Sequence, residues 1–283
     1  MTRTATKWAA YLIAMSLVSP LVQAVELRQK TVAVFDRYVH LTENRMQGEL
    51  EGGNPHSTFL WMDGLPAQRR DAVYGQLRQG EVVVERLKTL DAGKEIDVPD
   101  GIIHHWLGVV FIPGTTLKET MTLVQDYDRH AGIYKPEVLQ SKLLEHNGND
   151  YRIYLRLMKK KVITVVMNTE HDVRYFPVSA TREYSRSYTT RIAQVEDPGE
   201  PTEKEKPVGN DGGFLWRLYS YWRFEEKDGG VYVQCEALSL TRSIPVLVSW
   251  LVKPFVTSIP RESLVHTLTS TRSALTRPRA DAP

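Results

Sequence analysis

The chain reads as an α+β fold in which a long C-terminal helix lies across one curved antiparallel sheet. Three observations predict it. Apolar residues recur at helical spacing near the start of the chain, around residues 115–128, and at the end. The stretch between the last two is β-branched and aromatic, and carries the hairpin signals Asn147-Gly148-Asn149-Asp150 and Lys227-Asp228-Gly229-Gly230. Finally, Leu264, Leu268, Thr271 and Leu275 step by 4, 3 and 4 residues, which is one face of a helix. Tight turns join antiparallel strands, whereas parallel strands need long crossovers, so helices grouped at the two ends of a meander mean α+β.

The elements follow in order. Val32, Phe35, Val39, Met46 and Leu50 predict an amphipathic helix over residues 31–50, stopped by Gly52-Gly53-Asn54-Pro55. A second helix is predicted from Pro66 to Gln79, closed by Gly80. From Glu81 the period changes: EVVVERLKTL holds a β-branched run, and GIIHHWLGVVFIPG (101–114) is strand-like between its glycines and Pro113. Thr115 or Thr116 caps a helix whose Leu117, Met121 and Val124 share a face. Strands then follow in VLQSKLLEH, DYRIYLRLMKKK, VITVVMNTEHDVRYF and REYSRSYTTRIAQVE. Residues 197–213 are charged and rich in Pro and Gly, a solvated loop between strands. The last hairpin pairs FLWRLYSYWRFEE with GVYVQCEALSLTR, and two helical segments close the chain, IPVLVSWLVKPF and a helix with Pro260 in its first turn. Residues 277–283 are expected to fray.

The first two dozen residues read differently from the rest. Arg3 and Lys7 precede a mostly apolar run from Trp8 to Val22, and Val22-Gln23-Ala24 supplies a small residue at a cut site. That order is the order of a cleavable secretory signal over residues 1–24, with the mature chain starting at Val25 in the periplasm or outside the cell. The apolar run falls short of the roughly 20 residues a membrane-spanning helix needs. Removing it leaves 259 of 283 residues, enough for one large domain or a domain with an extension. The composition, 42% hydrophobic and 25% charged, is that of an ordinary globular chain, and a net charge of +2 gives no reason to expect a nucleic-acid partner. Cys235 is the single cysteine, so no intrachain disulfide forms, and its apolar surroundings place it in the core.

Motifs for familiar chemistries do not occur. The chain has no HExxH or paired-cysteine pattern, no G-x-S-x-G, no phosphate-binding loop and no dinucleotide-binding glycines. His104 and His105 are adjacent on a strand and point to opposite faces, which keeps them from sharing a metal ion. No metal or cofactor is expected. Lys159-Lys160-Lys161 reads as a solvated strand edge that discourages aggregation, with contact to an anionic headgroup as the other reading. IPVLVSWLVKPFV is either core or the apolar lip of a cavity mouth. In the last hairpin Trp216, Tyr219, Tyr221, Trp222 and Phe224 crowd one strand, so some must lie on the face away from the C-terminal helix, under the N-terminal extension. Arg156, Arg191, Arg217 and Glu236 interrupt apolar strand patterns. Either they pair across strands on the outer face, or they are buried against a ligand.

Strand, helix, antiparallel meander and long C-terminal helix together resemble the helix-grip fold of START-like and polyketide-cyclase-like lipid-binding domains, the SRPBCC superfamily. The likeness runs through HHWLGVVFIPGTTLKETMTLVQDYDRHAGIYKPEV, GFLWRLYSYWRFEEKDGGVYVQCEALSLTRSIP and SIPRESLVHTL, and covers residues 96–276; residues 25–95 form a helical extension outside it. The resemblance implies a curved sheet wrapped around the C-terminal helix, with a cavity between them for a lipid or other hydrophobic small molecule, held without a cofactor and with transient membrane contact. Residues expected to line or rim that cavity are Trp106, Tyr154, Arg156, His171, Arg191, Tyr221, Trp222 and Glu236, with Arg191 and Glu236 as a buried polar floor. Two alternatives stand beside a binding protein: a cyclase or aromatase with a tunnel acid or base, and an envelope scaffold with a filled cavity.

Overall fold

The computed structural model describes residues 29–50, 58–161, 163–209, 211–243 and 246–277, and within the last of these the side chains from residue 258 onward. The segment read as a secretory signal and the Gly-Gly-Asn-Pro stop lie outside the described residues.

Helix α1 covers residues 29–50 and α2 covers Ala67–Arg78, with Gly80 past its end at φ 89°. The strands are β1 (Val83–Arg86), β2 (Leu90–Asp91), β3 (Lys94–Glu95), β4 (Gly101–Pro113), β5 (Val138–Asn147), β6 (Asp150–Lys160), β7 (Thr164–Ser179), β8 (Arg182–Glu196), β9 (Lys204–Glu205), β10 (Arg217–Lys227) and β11 (Gly230–Arg242). Helices α3 (Leu117–Gln125) and α4 (His130–Ile133) separate β4 from β5, and α5 (Val246–Thr276) closes the chain. Apart from the β2–β3 hairpin, the strands form one nine-stranded sheet in the order β1-β4-β11-β10-β8-β7-β6-β5, with β9 attached to β8. Every pairing among the described residues is antiparallel.

Local chemistry sets the turns and caps. Asp228 and Gly229 both take positive φ, 55° and 74°, which is the two-residue turn whose twist matches a hairpin. Thr116 caps α3, and Glu119 returns the bond to its backbone, a complete capping box. Leu264 and Leu268 bury one face of α5 against the sheet with Val110, Ile112, Val233 and Cys235. The helix comes this close because β4 has a glycine beneath it. A Cβ on Gly108 would stand 2.6 Å from Leu268 Cδ1 and 3.0 Å from Leu264 Cγ.

Three details differ from the sequence reading. The loop over residues 197–213 contributes a two-residue strand, β9, that pairs with β8. The C-terminal segments form a single helix, so Pro260 lies inside α5, where it forgoes one intrahelical bond. Local propensity gave way to tertiary context there. Finally, β1, from the segment assigned to the extension, pairs with Trp106–Val109 of β4 and is an edge strand of the sheet.

The sheet therefore has both faces covered around β4, β11 and β10. Helices α3 and α5 pack on the inner face. On the outer face Phe35, Tyr38, Val39 and Met46 of α1 bury Trp216, Tyr221, Leu238 and Leu240, while α2 and residues 59–62 bury Leu107, Val109 and Tyr232. Of the last hairpin's aromatics, Trp216, Tyr219 and Tyr221 pack under α1, while Trp222 and Phe224 face inward.

Candidate functional site

A cavity of about 630 Å³ lies between α5 and the inner face of β6, β7, β8, β10 and β11. Its volume follows from side-chain size. On β8, β10 and β11 the residues lining the cavity include Ser185, Ser187, Ser220, Ala237 and Ser239, whose short side chains leave the space open. Large apolar residues fill the periphery instead, among them Trp106, Ile153, Leu155, Met167, Trp222 and Leu264.

One end is closed by Val124, Phe224 and the phenols of Tyr127 and Tyr175, which share a hydrogen bond of 2.7 Å. Burial pushes both phenols well above the ordinary range, so both stay protonated. The other end reaches the surface where β6 and β11 end and β10 begins. Gly212, Phe214 and Arg242 line it and are exposed there, beside Ile259 and Pro260 of α5. The charged groups of the cavity wall also lie at this mouth: Arg242, and Lys159 ion-paired with Glu137. Burial lowers the Lys159 ammonium against the pull of Glu137. Lys161 is paired too, with Glu262 at 2.6 Å.

Deeper in, the polar groups are neutral. His171 is 4% exposed, and burial alone takes its imidazole down to about 4, as burial first of all does for His130. Thr169 Oγ1 donates to the Leu155 carbonyl and therefore accepts from His171 Nε2, 2.9 Å away. That leaves a lone pair on His171 Nδ1, 3.5 Å from Ser187 Oγ.

The structure divides the eight residues named from sequence. Trp106, His171 and Trp222 line the cavity. Tyr154, Arg156, Arg191, Tyr221 and Glu236 lie on the outer face, and strand parity is the reason. On β6 the inward residues are Ile153, Leu155 and Leu157, so Tyr154 and Arg156 face out, to Asn168 and Glu203 respectively. Tyr221 and Glu236 alternate in the same way with Trp222 and Cys235. Arg191 has the parity of Ser185 and Ser187 but escapes it through a bulge. His171 pairs with Thr189 and Glu170 with Arg191, so Thr190 is an extra residue that turns Arg191 outward, onto Glu205. The expected Arg191–Glu236 floor is thus replaced by two separate outer-face pairs.

Glu236 belongs to a buried network beneath α1. Tyr38 contacts His105 Nδ1 at 2.9 Å, His105 Nε2 donates to Glu236 at 2.6 Å, and Arg45 closes on the same carboxylate. Arg45 also binds Glu49 at 2.6 Å, and Glu49 binds Arg223 at 2.6 Å. Burial works to raise the Glu236 carboxyl, but His105, Arg45 and Arg223 outweigh it and hold the group below the ordinary range. The network looks like an acid–base relay, yet none of its members lines the cavity; its chemistry is that of a tie between α1 and the sheet. His104, on the other face, bonds Thr241 at 3.1 Å. The described residues contain no cluster of three or more potential metal ligands.

Sequence reasoning missed the inward serines and the Tyr127–Tyr175 pair. The signal lay in YSRSYTT, where small hydroxyls alternate with Tyr and Arg up to Thr189.

No family model matches the chain, and neither does any curated protein. Similar solved structures include a STAR-related lipid transfer protein from Xanthomonas axonopodis, 18% identical over 69% of this chain and 99% of that one, with a TM-score of 0.42. Others are the Zhui aromatase/cyclase from Streptomyces sp. R1128 (11% identity, 62% and 95% covered, TM-score 0.44) and human STARD10 (11%, 77% and 82%, 0.42). The helix-grip expectation is met by the chain's own strand order and by α5 lying on the sheet.

Proposed function

We propose that this chain is an exported START-like protein that holds one lipid or other hydrophobic small molecule beneath α5 without converting it. The observation that carries the reading is the cavity itself. At about 630 Å³ it falls within the roughly 300–1,000 Å³ of small-molecule sites, with mostly apolar walls and a few polar groups. Apolar walls favour transfer of a hydrophobic body out of water, at ~25 cal/mol per Å² buried.

Export rests on the sequence: a basic start, an apolar run and a small residue at position 24, in signal-peptide order. Transient membrane contact at the mouth is part of the same proposal. Ile163, Val208 and Phe214 are large exposed apolar side chains in segments that meet at that end of the sheet. Among the described residues no helix is long and apolar enough to cross a membrane.

The test is native mass spectrometry of protein purified from its own envelope fraction, joined to displacement of the neutral fluorophore 1-N-phenylnaphthylamine. A co-purifying lipid-sized mass and saturable fluorophore binding are expected. No saturable binding, together with no retained mass, refutes the reading. Turnover of a retained molecule that is lost in His171→Ala replaces it with the cyclase-type alternative.

A further inference from the structure

A shallow arc of polar side chains crosses the inner face of the sheet, its two ends, Ser239 and His171, both displaced toward the start of β10. Ser187 of β8 stands directly opposite Ser220 of β10, and Ser239 of β11 is the diagonal neighbour of Ser220, whose direct partner is Ala237. On the other side His171 of β7 is the diagonal neighbour of Ser187, whose direct partner is Val173. All four line the cavity. Four strands at ~4.8 Å spacing make the stripe about 14 Å wide.

Three of the four, His171, Ser187 and Ser239, are buried, Ser220 is half-buried, and the hydroxyls are under-used. Ser185 is 2% exposed and Ser239 7%, and among the described residues neither hydroxyl meets a hydrogen-bonding partner, although both line the cavity. Ser220 accepts from Trp222 Nε1 at 3.2 Å and keeps its own proton available. Ser187 has only the long approach to His171 Nδ1. A hydroxyl in an apolar wall is costly unless something bonds to it. Meanwhile no cation stands among them. The charged side chains of the cavity wall are at the mouth, and His171 offers a lone pair toward the stripe. A carboxylate or phosphate placed there would meet an acceptor and no counter-charge.

We infer that the ligand is an uncharged amphiphile carrying hydroxyl groups spaced along one edge of an apolar body, read by His171, Ser187, Ser220 and Ser239. The inference rests on the cavity reading and narrows it. Serine hydroxyls both donate and accept, and the imidazole lone pair requires a donor, so an alcohol fits where an anion does not.

Displacement of 1-N-phenylnaphthylamine at pH 7.5 by three matched C12 probes separates the possibilities. Dodecane-1,12-diol spans the stripe, dodecan-1-ol reaches part of it, and dodecanoate carries the charge. The expected order of affinity is diol, alcohol, dodecanoate. Removing two hydroxyls in Ser187→Ala/Ser239→Ala is expected to weaken the diol by roughly fivefold per hydroxyl and shrink its lead over dodecanoate. Arg191→Met, on the outer face, is expected to leave the order unchanged. Dodecanoate binding as tightly as the diol to the unaltered protein overturns the inference, whatever the variants do. So does an unchanged diol-to-dodecanoate ratio in the double variant. In both cases saturable fluorophore binding still upholds the cavity, whereas failure of the fluorophore itself removes the cavity reading and this inference with it.

Discussion

Gly108 and Leu268 test how α5 grips the sheet. Replacing Gly108 by Ala adds a methyl that would stand 2.6 Å from Leu268 Cδ1 and 3.0 Å from Leu264 Cγ. Leu268 has no exposed area, so its methyl has little room to move away. Overpacking of this kind costs about 1–3 kcal/mol, while replacing a strand glycine by Ala returns about 0.5–1 kcal/mol of backbone entropy. The net effect of Gly108→Ala is therefore a loss of about 1 kcal/mol. Leu268→Ala alone should cost about 2–5 kcal/mol through lost burial and a residual cavity. In that background the principal clash is gone and the new methyl occupies vacated space. Gly108→Ala should there be neutral or stabilising, a reversal of sign worth about 1–2 kcal/mol of coupling. Urea unfolding of the mature chain and its three variants measures the cycle. Strict additivity would mean that Gly108 does not lie under Leu268, and the packing argument would fail.

Acid should unfold the protein steeply. His104, His130 and His171 are each lowered by burial from the ordinary 6.5 to about 4, so below pH 6.5 the unfolded chain binds protons that the folded chain refuses. Their stabilisation is complete above pH 6.5 and is lost as pH falls toward 4, by at most roughly 3 kcal/mol each; a melting temperature that stays flat from pH 7 to 4.5 refutes this. Glu236→Ala should destabilise by about 3 kcal/mol, because it strips His105 and Arg45 of a buried partner, yet leave fluorophore binding intact; loss of binding at full stability would place Glu236 in the site after all. Export predicts Val25 as the N-terminal residue of protein recovered from the envelope, and intact Met1 on cytoplasmic protein refutes it.

Features decided within a few residues were legible in the sequence. The Asp228-Gly229 turn, the Thr116–Glu119 box and the Leu264–Leu268 face each follow from neighbours along the chain. Features decided by distant partners were not. Pro260 satisfies the rule for a first helical turn, and nothing nearby in sequence says that the helical segment before it runs on through it as one helix, α5. β1 was visible as a β-branched run, but its pairing with β4 is non-local. In the site, alternation along each strand was evident, while the choice of face was not. In YSRSYTT the usual expectation sends hydroxyls to solvent and rings to the core. Here the rings and arginines face α1 and outer-face partners, and the serines face the cavity. A single extra residue at Thr190 was enough to reverse Arg191.

That reversal explains why the N-terminal helices matter to a cavity they do not touch. Each central strand carries two chemistries one residue apart: His104 and His105, Tyr221 and Trp222, Cys235 and Glu236. Turning charge outward on these strands leaves the deep part of the inner face without charged side chains; those of the cavity wall stand at its mouth. It also leaves Glu236 and Arg223 interleaved on the outer face with Trp216, Leu238 and Leu240, a surface neither polar enough for water nor apolar enough for a plain core. Helix α1 resolves both parts at once. Phe35, Tyr38 and Val39 cover the apolar residues, while Tyr38, Arg45 and Glu49 neutralise the charges by hydrogen bonds and ion pairs. A buried charge is tolerable only when its partners are fixed, and these partners sit on one rigid helix. The extension is thus the third layer of the fold, and the neutrality of the cavity on one face depends on the charge network that α1 completes on the other.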